Sequence, residues 1–134
     1  MSLANDVQEV ARVIDSLEEF SAQHGIPREQ ALRFCLALDE LITNIISHGF
    51  AGGSGGTIRL IVEHADGALK AELIDDGPPF DPFQADVELP SGDIEQRRIG
   101  GLGISIVKAS MDSLGYRHDG RFNRVNMEMR LKAA

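Results

Sequence analysis

Apolar positions in the first part of the chain recur at helical spacing. Val7, Val10, Val13, Ile14, Leu17 and Phe20 fall on one face of a 3.6-residue repeat, and Asp6-Val-Gln-Glu9 has the spacing of a capping box. The pattern predicts a first helix over about 6–23. Gly25 is placed to end it in the left-handed conformation, and Pro27 suits the opening of a second helix over about 27–48. On that helix Phe34, Leu38, Leu41, Ile42 and Ile45 form the face that must be buried. Residues 49–56 are glycine-rich but lack the Gly-Lys-Ser/Thr ending of a P-loop, so they read as a loop. The period then changes to two. Ile58, Leu60 and Val62, then Leu69, Ala71 and Leu73, alternate with polar neighbours around Asp66-Gly67, which predicts a β-hairpin.

Residues 77–98 hold four of the five prolines and show no sustained period, so they read as a long loop. Ile104, Ile106, Val107, Met111 and Leu114 predict a third helix with Gly115 as its terminator. Tyr116–His118, the Asp119-Gly120 turn, and Val125, Met127, Met129 and Leu131 predict a second hairpin. The order α-α-β-β-loop-α-β-β implies a two-layer α/β sandwich, with a mixed, mostly antiparallel sheet carrying three helices on one face.

Composition narrows the functions. A chain of 134 residues at 43% hydrophobic suits one domain spanning 1–134. Net charge is −8, with 21 acidic against 13 basic side chains and no basic stripe, which argues against nucleic acid as a partner. A small polyanion stays admissible, because backbone N–H groups and a divalent cation can hold phosphates without net charge. Cys35 is the only cysteine, so no intrachain disulfide can form, and no Cys/His grouping has zinc-ligand spacing. No apolar run approaches the ~18–20 residues of a membrane span, and the N-terminus lacks a signal-peptide pattern. The expectation is a cytoplasmic protein with no membrane partner.

Three short signals carry the candidate chemistry. On the second helix Glu40, Asn44 and His48 form an i, i+4, i+8 row along one edge of the apolar face. A carboxylate there can deprotonate or orient an attacking hydroxyl, and an amide oxygen can complete the shell of Mg²⁺. A solvated polar flank is the plainer alternative, and His48 could equally serve the helix end. Asp39 and Thr43 fall outside the row. Asp75 ends a strand, where it can accept a hydrogen bond from an exocyclic amine such as that of adenine, and Gly77 permits close backbone approach or a positive φ. Asp76 and Asp81 read as turn residues. Gly100, Gly101 and Gly103 precede an apolar helix whose free N–H groups suit phosphate, although a tight turn without ligand would use the same residues.

The ordered set resembles the GHKL ATP-binding superfamily shared by gyrase, histidine kinases and mismatch-repair ATPases, and within it the anti-sigma-factor serine/threonine kinase branch. Asp39-Glu-Leu-Ile-Thr-Asn44 with His48-Gly is similar to its asparagine box. Asp75-Asp-Gly77-Pro-Pro-Phe80-Asp-Pro is similar to its first glycine box, and Arg98-Ile-Gly-Gly-Leu-Gly103-Ile to its second. The resemblance implies a Bergerat fold binding ATP and Mg²⁺, with Glu40 as the catalytic carboxylate and Asn44 as the metal ligand. It also implies nucleotide binding by Asn44, Asp75, Gly77, Phe80, Gly100, Gly101, Leu102, Gly103 and Ile104, under a lid over about 82–99. The activity implied is γ-phosphate transfer to a serine of an anti-sigma-factor antagonist, with binding of a sigma factor and a homodimer as the family habit. A nucleotide-dependent binding module without turnover, or a histidine kinase catalytic domain, are the alternatives. The chain departs from the pattern in three places. Pro79 replaces a glycine of the first glycine box, Asn126 stands where a threonine often supports the adenine site, and no strand is predicted before Asp6.

Overall fold

A computed structural model describes residues 1–4, 6, 8–49, 56–83 and 104–132 of the protein. In chain order they form strand β1 (Ser2–Ala4), helix α1 (Glu9–His24), helix α2 (Arg28–Asn44) with a π-helical extension over Ile45–Gly49, and strands β2 (Thr57–Ala65) and β3 (Ala68–Asp75). A helix over 104–110, here α3, then leads into β4 (Ser113–His118) and β5 (Asn123–Arg130). The strands make one sheet in the order β1-β2-β3-β5-β4, with every neighbouring pair antiparallel.

One face of the sheet and the three helices enclose the core. Val13 and Leu17 of α1, Phe34, Leu38, Leu41 and Ile42 of α2, and Ile104 and Val107 of α3 meet Leu3, Ile58, Leu60, Leu69, Leu73, Val125, Met127 and Met129 of the strands. All five residues assigned to the buried face of α2 are buried, Phe34 and Leu38 completely. Burying a side chain of that size contributes about 1.5–3 kcal/mol, so α2 is anchored along its length and its edges are held in place. Among the described residues no helix is long and apolar enough to cross a membrane.

Both hairpins form where the turn chemistry predicts them. Asp66 and Gly67 take φ values of 55° and 72°, the two positive angles that a two-residue hairpin turn requires, and Gly25 ends α1 at φ 65° with its N–H donating to the Ser21 carbonyl.

Four local expectations are corrected. A strand, β1, precedes α1. It holds Leu3 in the core, and beside it the Met1 amino group donates to the Leu60 carbonyl while the Leu60 N–H donates to the Met1 carbonyl, both at 2.8 Å, so β2 is paired on that side. The capping box does not form: α1 starts at Glu9, whose carboxylate accepts the Ala4 N–H at 3.1 Å, while Asp6 accepts the Gln8 N–H at 2.9 Å. Helix α2 stops being α-helical at Asn44, where the N–H of Ile45 is shared between the Leu41 and Ile42 carbonyls. Finally, α3 ends by Ser110, and Leu114 and Gly115 belong to β4, so Gly115 terminates no helix.

Candidate active site

The end of β3 places a carboxylate under unusual constraint. Asp75 pairs with Asn123 in the β3–β5 ladder, and both point toward the helices, in step with Leu73 and Val125. Only 3% of Asp75 and 2% of Asn123 is exposed. Asp75 Oδ1 accepts the Gly77 N–H and the Asn123 amide, both at 3.0 Å. Its other oxygen has no hydrogen-bond partner among the described residues. Burial raises the Asp75 pKa, the bonds from Asn123 and Gly77 pull it down without cancelling that effect, and Asp76 and His118 act weakly in opposite senses. The result is a buried acceptor with a free lone-pair face, suited to an N–H donor brought by a ligand.

Asn123 organises the chain that follows. Its amide also donates to the carbonyls of Gly77 (3.1 Å) and Pro78 (2.9 Å), and its Oδ1 accepts the Phe80 N–H at 3.1 Å and the Tyr116 hydroxyl. The Tyr116 oxygen accepts the same Phe80 N–H at 3.1 Å. One side chain on β5 therefore holds Asp75, Gly77, Pro78 and Phe80 in a single arrangement, with Pro78 and Pro79 exposed beside it. Gly77 does not take the left-handed conformation; it is buried and serves by its N–H. Asp81 accepts the Phe83 N–H two residues on at 2.9 Å, a turn contact as expected, whereas Asp76 accepts the N–H of Thr57 at the start of the neighbouring strand at 3.1 Å.

Neither Asn123 nor Tyr116 was singled out from the sequence. The signal was present in the hairpin register: pairing β5 against β3 puts Asn123 opposite Asp75. Asn126, which stands where a threonine often supports the adenine site, lies an odd number of residues further on. It pairs with Glu72 and Gly115 and is exposed on the sheet face away from the helices, so it cannot take that role.

Helix α2 supplies the second group. Glu40 and Asn44 are half-buried along the edge of its apolar face, and neither side chain has a hydrogen-bond partner among the described residues. Asp39 and Thr43, in the adjacent row, satisfy each other at 3.2 Å. Burial, then the neighbouring Asp39 charge, raises the Glu40 pKa, which makes the carboxylate a better proton acceptor. The backbone after Asn44 is π-helical, so the regular α-helical residue spacing ends there.

The two groups come from opposite layers of the fold, and no hydrogen bond joins them among the described residues. Ile104 is a core residue, 1% exposed, which leaves its backbone rather than its side chain for a ligand. Lys108 of α3 donates to the Phe83 carbonyl at 2.9 Å, tying that helix to the segment after β3. Gly100, Gly101, Leu102, Gly103 and the lid from 84 to 99 lie outside the described residues.

Comparison with known proteins gives this arrangement a context. The family model described as "Histidine kinase-like ATPase domain" matches residues 3–129. The serine/threonine-protein kinase BtrW of Bordetella bronchiseptica is 29% identical over 98 residues, covering 72% of this chain and 69% of its own. An anti-sigma F factor of Clostridium botulinum is 30% identical over 81 residues, 58% of this chain and 54% of its own. Among solved structures, the RsbU and RsbW domains of a Mycobacterium tuberculosis protein superpose with a TM-score of 0.64 at 17% identity, a likeness of fold. That match covers all of this chain but only 33% of the solved one.

Proposed function

We propose, for a chain that belongs to the histidine kinase-like ATPase domain family, an ATP-dependent protein serine/threonine kinase that phosphorylates a small antagonist protein and binds a sigma factor. The single observation that carries this reading is Asp75: a buried carboxylate with one oxygen saturated by the fold and the other left for a donor. The exocyclic amine of adenine fits it, and Gly77 and Phe80 line the approach. The kinase name of BtrW and the anti-sigma name of the clostridial relative support the choice of reaction and partners.

In this reading Glu40 accepts the proton of the acceptor serine hydroxyl as its oxygen bonds to the γ-phosphorus. The bond to the β–γ bridging oxygen breaks and ADP leaves. Asn44, an amide oxygen with no partner among the described residues, fits a magnesium ion that would take the rest of its shell from phosphates and water. Such an ion, when bound, neutralises phosphate charge. The backbone of 100–103 would face the phosphates and residues 82–99 would cover them. The reading extends to a single ATP-binding domain over 1–134, cytoplasmic, working as a homodimer.

Titration with ATP tests the adenine assignment. Asp75→Asn removes a charge-assisted acceptor, so ATP affinity is expected to fall about 10- to 100-fold. Because burial raises the pKa of Asp75, its ionised form is disfavoured in the fold, and the neutral amide should leave thermal stability at pH 7 no lower. Unchanged ATP affinity in a folded Asp75→Asn protein would remove the adenine role.

A further inference from the structure

A second pair of chemically competent side chains lies at the other end of the sheet. His24 is the last residue of α1, and His64 is the next-to-last of β2, on the strand face that turns Ile58 and Leu60 toward the helices. Asp75 pairs with Ile58, six residues from His64 along β2, so the two places are about 20 Å apart. The Nδ1 atoms of His24 and His64 stand 3.2 Å apart. Their ring centroids are further apart, 5.2 Å, at an interplanar angle of 83°, so both rings turn their Nδ1 edges toward each other. Phe20 stacks on His24 at 4.2 Å and 24°, which limits the freedom of that ring.

We propose that His24 and His64 chelate a divalent transition cation of the zinc, nickel and copper class, bridging α1 to β2. Two nitrogens bound to one tetrahedral zinc at 2.0–2.1 Å are about 3.3 Å apart, close to the observed separation. Imidazole nitrogens select this class over magnesium, which takes oxygen ligands. The carbonyl end of α1, carrying partial negative charge, favours a cation at that position. Among the described residues no third histidine, cysteine or carboxylate joins the pair, so water fills the remaining positions and the ion exchanges freely. Without metal the two rings share one hydrogen bond. On binding, the Nδ1 proton of the donor ring moves to its Nε2, and both Nδ1 lone pairs reach the ion.

The test is zinc titration of the nucleotide-free chain by calorimetry and thermal unfolding, with magnesium as the control cation. The variants His24→Asn and His64→Asn keep an amide able to hydrogen bond but lose the imidazole ligand, and His118→Asn serves as the control. Expected is one zinc per chain, with the unfolding equilibrium shifted about 100-fold toward the folded state when zinc is 100 times its Kd. Both pair variants lose this shift while keeping their metal-free stability, His118→Asn retains it, and magnesium produces none. Equal zinc binding by His24→Asn and His64→Asn, or no saturable binding by the unmodified chain, overturns the site and leaves the imidazole hydrogen bond alone.

Discussion

Glu40→Gln is expected to lower phosphate transfer to a serine of the acceptor protein by about 10²- to 10⁴-fold, the usual contribution of a general base. ATP affinity should hold, because in the proposed mechanism the substituted group acts on the acceptor hydroxyl and not on the nucleotide. Stability separates this outcome from misfolding. Burial and Asp39 raise the Glu40 pKa, so whatever stability the residue adds is present below its unfolded pKa and lost as pH rises through the folded one. At neutral pH the ionised side chain is mildly unfavourable in the fold, and glutamine should not lower the melting temperature. The same shift sets the pH profile. In the proposed mechanism the base form is required, so the acid limb of the unmodified enzyme's kcat/KM should lie above about 4.3, the ordinary glutamate value. A Glu40→Gln protein that binds ATP and labels its acceptor at the original rate would assign the proton transfer elsewhere.

Elements with several repeats of their period were legible from the sequence, and elements shorter than one repeat were not. Helices α1 and α2, of 16 and 17 residues, and two hairpins with Asp-Gly turns follow directly from apolar spacing and turn residues. Strand β1 has three residues, of which only Leu3 faces inward, and a single apolar position has no period. The stretch from Ile104 to Tyr116 is ambiguous because Met111 and Leu114 fit helical spacing while Leu114 and Tyr116 fit strand spacing. Ladder pairing with β5 resolves it in favour of the strand from Ser113 onward. The π-helical turn after Asn44 leaves no compositional mark, since it depends on how the Ile45 N–H is shared. Within the candidate site, the residues singled out from the sequence were those whose chemistry is local to a motif: Glu40, Asn44, Asp75 and Gly77. Asn123 was not, because its role depends on a partner 48 positions away and on the register that brings the two together.

Asn123 is accordingly the position where one substitution should disturb both folding and the proposed adenine site. Asn123→Ala removes the donor to Asp75 and to the Gly77 and Pro78 carbonyls, and the acceptor for Phe80 and Tyr116. Leaving buried polar groups of this kind unpaired costs about 1–3 kcal/mol each before relaxation, and water entering the vacated space recovers part. A net loss of about 3 kcal/mol is expected in urea unfolding at pH 7. Tyr116→Phe breaks one hydrogen bond of the same network and should cost about 1 kcal/mol. The pH dependence identifies the Asp75 contribution. Asn123 lowers the Asp75 pKa, so its removal lets burial push that pKa higher still. The deficit of Asn123→Ala should then be largest above the folded pKa of Asp75, where the carboxylate is ionised and short of a donor. It should shrink as pH falls through that pKa and the group becomes neutral. ATP affinity should drop with stability, since the acceptor loses the amide that fixes its orientation, whereas Tyr116→Phe should bind ATP nearly as the unmodified chain does. If Asn123→Ala costs no more than Tyr116→Phe, and its deficit is flat across pH, then Asn123 fills space without holding the carboxylate.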